Sequence, residues 1–77
     1  MKSTQILHRP IGNTKVSLVK ITLDDGHEYY EVAVLNPREK HWEVIESNIS
    51  VDQPLVADQV YHKQCELAEK AERYDLR

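Results

Sequence analysis

The side chains of this chain that could do chemistry are four histidines, one cysteine and a set of carboxylates. Their densest grouping is Asp58-x-x-x-His62-x-x-Cys65-Glu66-x-x-Glu69, with ligand types at i, i+4, i+7, i+8 and i+11. On a helix those spacings bring side chains to neighbouring positions, and zinc is held by such nitrogen, sulfur and oxygen donors. An ordinary solvated acidic helix has the same pattern, however, and no CxxC pair or second nearby histidine reinforces it. No metal and no cofactor is therefore expected. His62 and Cys65, three apart, could act as base and nucleophile, but nothing supplies an oxyanion hole or a third group to orient the histidine. The only glycines, Gly12 and Gly26, both sit in turns, which leaves no phosphate-cradling loop. Asp24 and Asp25 belong to the second of those turns. No catalytic residue is assigned, and the chain reads as non-enzymatic.

Two surfaces remain as candidates for binding. Arg38-x-Lys40-His41-Trp42 sets basic residues beside an aromatic ring, the makings of a stacking platform for single strands. Glu28, Glu39, Glu43 and Glu46 dilute its field, and alternation places Trp42 in the core, so no nucleic-acid partner is expected. The acidic arc of Asp58, His62, Glu66 and Glu69 is the stronger candidate, as the contact surface for a protein partner.

Composition sets the bounds. A chain of 77 residues has room for one domain, 1–77, whose core is small enough that oligomerisation is the most available extra source of stability. Cys65, the lone cysteine, cannot close an internal disulfide. With no signal-type apolar run, this fits a reducing cytoplasm. Nothing approaches the roughly 20 apolar residues of a membrane span. A net charge of −3 and a pI of about 5.7 argue against DNA and anionic membranes as partners.

The elements that must position these residues are a sheet over about 4–47 and a helix over about 54–74. Asp25-Gly26, read as a two-residue type I′ turn, pairs Val19 with Val32, Leu18 with Ala33 and Lys20 with Glu31. Gly12-Asn13 closes an earlier hairpin with Ile6 against Val19, Leu7 against Leu18 and His8 against Ser17. His41–Ser47 alternates as a fourth strand, with Trp42 and Val44 on the face of Val32 and Val34. Pro54 and a capping Asp52 open the helix. Its apolar arc holds Val56, Ala57, Val60, Tyr61, Gln64, Leu67, Ala68, Ala71 and Tyr74, and Glu66–Lys70 and Glu69–Arg73 pair along its outside. The predicted fold is α+β: an antiparallel four-stranded meander with one C-terminal amphipathic helix packed on one face. That helix is expected to cover Ile6, Val19, Ile21, Tyr30, Val32, Val34, Trp42 and Val44. The other face is left apolar, which predicts a homodimer formed through Leu7, Val16, Leu18, Tyr29, Leu35 and Ile45, with Ala33 among them.

Tyr30-Glu31-Val32-Ala33-Val34, then Trp42-Glu43-Val44-Ile45, then Ala57-x-x-x-x-His62 form a strand, a second strand and a helix with an early histidine. In this, residues 15–72 resemble small hypothetical proteins common in bacteriophage and mobile-element genomes. Members with an assigned role are often non-enzymatic inhibitors of host defence, such as anti-CRISPR proteins, or sponges for nucleotide signals. The resemblance implies a protein-binding module of phage type that inhibits a host-defence complex by occlusion. The runner-up is an oligomer holding an anionic small molecule, such as a nucleotide, with Arg9, Lys20 or Arg38.

Overall fold

Strands β1 (Lys2–Ile11), β2 (Thr14–Thr22), β3 (Glu28–Asn36) and β4 (His41–Ser50) precede a single helix, α1 (Pro54–Asp75). The computed structural model describes the backbone of residues 1–75 and the side chains of residues 1–71. The strands form one antiparallel sheet in the order β1-β2-β3-β4. Helix α1 lies across one face, touching all four strands and chiefly β2 and β3. This is the α+β meander-plus-helix that the periodicity predicts. Among the described residues no helix is long and apolar enough to cross a membrane.

The β2–β3 turn is one residue longer than expected, and that residue exchanges the two faces of the sheet. Leu23 N–H donates to the His27 carbonyl at 2.8 Å, and Gly26 N–H to the Leu23 carbonyl at 3.0 Å. Asp24-Asp25-Gly26 is thus a three-residue loop, a type I turn followed by a glycine at φ 92°. Asp25 Oδ1 accepts the His27 N–H at 3.0 Å, which reinforces the bend and holds the Asp25 carboxyl below its ordinary range. Leu18 consequently lies opposite Val32, Val16 opposite Val34 and Val19 opposite Glu31. Lys20 lies opposite Tyr30 rather than Glu31, and its ammonium reaches Glu28 at 3.4 Å. Because side chains alternate with a period of two, a slip of one moves every residue to the other side.

The buried cluster joins Ile11, Val16, Leu18, Val32 and Ile49 of the sheet to Ala57, Tyr61 and Cys65 of α1. Val16 and Leu18, expected at a self-association surface, are instead 0% and 4% exposed beneath the helix. Leu7, paired with Leu18, shares their side. Tyr29 and Leu35 do belong to the face away from α1, where both are half-buried, and Ile45 is exposed at the edge. On the helix, Ala57, Tyr61 and Cys65 follow at i, i+4 and i+8, flanked by Val60 and Ala68. That ridge is narrower than expected, since Val56 and Leu67 are exposed and Cys65 occupies the centre rather than the margin. Burial, and then a hydrogen bond with Cys65, push the Tyr61 phenol above its ordinary value. Pro54 opens the helix as expected, but Asp52 is not its cap. The Gln53 carbonyl accepts the Val56 N–H at 3.1 Å, while the Asp52 N–H donates to Ser50 Oγ at 3.2 Å. The expected partners Arg73 and Tyr74 lie outside the described side chains.

Both edge strands are irregular. In β1, Leu7–Leu18 and His8–Ser17 pair as predicted, but Ile6 is an extra residue, so Gln5 rather than Ile6 lies opposite Val19. In β4, pairing jumps between Val44 and Glu46 and again between Glu46 and Ile49, where Asn48 takes φ 59°. Ile49 thereby falls opposite Tyr30 and enters the core. Such bulges blunt edges that would otherwise invite a further strand.

Two outcomes test this arrangement. Leu18→Lys would bury a charge under α1 at a cost of several kcal/mol. A domain of this size has about 4–12 kcal/mol of total stability. Leu18→Lys should therefore lose its thermal transition, whereas Val19→Lys, facing Glu31 on the open side, stays within about 1 kcal/mol of the parent. The reverse result would restore the two-residue turn. At Gly26 a Cβ would meet nothing within 4 Å, so Gly26→Ala pays only for its positive φ. Urea denaturation should register about 1 kcal/mol of destabilisation.

Candidate functional site

A row of directly opposed residues, His8–Ser17–Ala33–Val44, runs across the face away from α1. Its outer members sit on β1 and β4, three strand spacings and so about 14 Å apart. The two central residues are small, in stretches otherwise built of Val and Leu. His8 and Trp42, the latter two residues before Val44, reach inward over them until their ring centroids are 6.3 Å apart at a tilt of 54°. The sheet thus roofs its own trough. Ser17 and Ala33 are 4% and 9% exposed although no helix covers them.

The trough has a polar floor. Ser17 Oγ lies 2.8 Å from His8 Nδ1, and the Gln5 amide donates to the same oxygen at 3.4 Å. Gln5 and His8 can converge on one hydroxyl because the bulge at Ile6 brings residues three apart to the same side. Beyond the roof the trough opens into a cleft of about 260 Å³ walled by Val19, Ala33, Val44 and the Trp42 ring. Gln5, Ser17 and Glu31 supply its polar groups. Glu31 Oε1 accepts the Ser47 hydroxyl at 3.0 Å. A half-exposed indole over a hydrogen-bonded floor is suited to binding. Ser17 and His8 form a hydrogen-bonded dyad whose hydroxyl is buried under the roof.

The residues singled out in sequence are distributed differently. Asp58 and His62 pair at 3.3 Å along α1, and Glu69 reaches across to Arg9 of β1 at 2.6 Å. The arc is therefore partly neutralised and ties helix to sheet, with Glu66 exposed beside it. Cys65 turns into the core, away from the ligand types Asp58, His62, Glu66 and Glu69 with which its spacing groups it. Among the described residues, those that do gather ligand atoms, within 4.8 Å of one another, are Glu39, His41 and Glu43. Glu39 approaches His41 Nδ1 at 3.2 Å and Glu43 approaches Nε2 at 3.9 Å, while Glu43 also accepts from Asn36. All three are exposed, and acidic groups so placed are common without an ion. Arg9, Lys20 and Arg38 do not form a cationic pocket. They sit on β1, β2 and the β3–β4 turn, the first two in ion pairs. Comparison with protein-family models, curated proteins and solved structures finds no match for the chain.

The alternation places Trp42 and Val44 on the wrong face and Ala33 on the right one, and it gives Gln5, His8 and Ser17 no functional reading. The available signal was the pair of small residues, Ser17 and Ala33, each mid-strand among β-branched neighbours. Ser17→Ala removes the hydroxyl that holds both Gln5 and His8. It should cost about 1 kcal/mol, a fall of about 4–8 °C in Tm. Emission from Trp42, the single tryptophan, should shift as His8 leaves its ring. A melt and an emission spectrum both unchanged would show that the floor does not hold the roof.

Proposed function

We propose that this chain is a non-enzymatic protein-binding module that docks a larger partner on the open face of its sheet and acts by occlusion. The observation that carries this reading is the exposed pair Trp42 and Val44, 45% and 55% accessible, beside a formed cleft. Exposed large apolar groups gathered on one face mark interaction sites, and tryptophan is the residue type most enriched among interface hot spots. Four strands of nine or ten residues present a face of about 15–20 Å by 30 Å, which reaches the low end of the footprint of a standard interface. The helix arc is the weaker surface, because Asp58 and Glu69 already have partners within the chain. The narrower reading, a phage-type inhibitor of a host-defence complex, is what the resemblance of residues 15–72 implies.

A homodimer formed on the same face is the second reading. It is favoured by the exposed Ile45, which extends the apolar run of Trp42 and Val44 along edge strand β4. Sedimentation at tens of micromolar separates the two, since a dimer there would dissociate in Trp42→Glu.

For the docking reading, the partner retained from the source cell is purified and titrated against variants. Trp42→Glu should weaken binding by at least about 2 kcal/mol, roughly thirtyfold in Kd. Glu66→Lys, on the helix, should leave it within about twofold. The opposite ranking would move the interface to the helix arc.

A further inference from the structure

The cleft beside Trp42 has one formal charge on its walls, the carboxylate of Glu31. Its remaining lining is apolar or aromatic, apart from the Gln5 amide and the Ser17 hydroxyl. Among the described residues six other carboxylates face a side-chain cation or an imidazole: Asp25 has His27, Glu28 has Lys20, Glu69 has Arg9, Asp58 has His62, and Glu39 and Glu43 share His41. Among the described residues no cation lies within ion-pair distance of Glu31. The Ser47 hydroxyl donates to Oε1 and orients the carboxylate. An anion would be repelled here, and a purely apolar group would desolvate a carboxylate with nothing in return.

We propose that this cleft receives an arginine side chain of the protein partner. This deepens the docking reading and rests on it. The guanidinium forks onto Glu31, while its aliphatic stem crosses Val44 toward the Trp42 ring. Arginine fits better than lysine, because a planar fork matches a carboxylate and carries a weaker hydration shell. The docking face of the partner is accordingly basic, complementary to a chain of net charge −3.

The test uses the whole chain and two capped tripeptides, Gly-Arg-Gly and its citrulline counterpart, which keeps the shape of arginine without the charge. Binding is read from the Trp42 indole N–H resonance and from emission. The arginine peptide should give a saturable shift, with the citrulline peptide at least tenfold weaker. Glu31→Gln, which retains an acceptor for Ser47, should lose the same tenfold toward arginine. The citrulline comparison needs no variant, so a folding defect in Glu31→Gln leaves the test standing. Equal responses to the two peptides, or no saturable shift with either, overturn the arginine assignment. In that event a partner still sensitive to Trp42→Glu keeps the docking reading intact. An arginine-specific response together with a partner indifferent to Trp42→Glu would instead remove the docking reading and leave the arginine site.

Discussion

The choice between a two-residue and a three-residue loop at Asp24-Asp25-Gly26 governs every contact in this sheet. Both loops satisfy a glycine with positive φ, and both close a hairpin between the same strands. They differ by one residue of register, and in a sheet with a single helix to cover it that residue decides what is core. The three-residue loop puts Val16, Leu18 and Val32 under α1, where Ala57, Tyr61 and Cys65 close over them. It also puts Val19 opposite Glu31 and Ser17 opposite Ala33 on the far side. Two short local hydrogen bonds, from Leu23 and Gly26, thus select between two global packings.

The far side is where the sheet solves the problem of a missing second layer. A two-layer domain with one helix cannot bury both faces, and unsupported apolar surface favours association. Here the centre of the open face is built from small residues, and larger ones lean in from the edges to cover it. His8 and Trp42 meet over Ser17 and Ala33, and a hydrogen-bonded floor of Gln5, Ser17 and His8 satisfies the buried hydroxyl. The bulge at Ile6 is essential, since a regular strand would send Gln5 and His8 to opposite faces. Structural economy and the candidate site therefore share the same residues: the indole that roofs the trough also walls the cleft.

The charges follow the same division. On the helix side they are used internally, as Glu69 with Arg9 and Asp58 with His62, and contribute modestly because they are solvent-exposed. On the open side Glu31 is oriented by a hydroxyl and balanced by no cation among the described residues. A surface that combines an oriented carboxylate, an accessible indole and aliphatic walls discriminates among partners by charge as well as by shape.

The local signals in the sequence were sufficient for the elements themselves. Four alternating segments, Gly12-Asn13, the Asp-Gly turn, Pro54 and the 3.6-residue period of α1 are each readable within a few residues, because each is set by nearby backbone chemistry. The β1–β2 pairing of Leu7 and His8 was likewise determined by a two-residue turn with no competing geometry. Which face the helix covers was not. Val16, Val19, Leu18 and Ile21 are nearly interchangeable in hydrophobicity, so either register offers a credible core, and only packing against Ala57, Tyr61 and Cys65 distinguishes them. The bulges at Ile6, Ile45 and Asn48 leave no local mark for the same reason, since each is fixed by the strand beside it. The site depends on all of these at once. Gln5, His8, Ser17, Glu31 and Trp42 come from four strands, and their convergence is a property of register that only the assembled sheet decides.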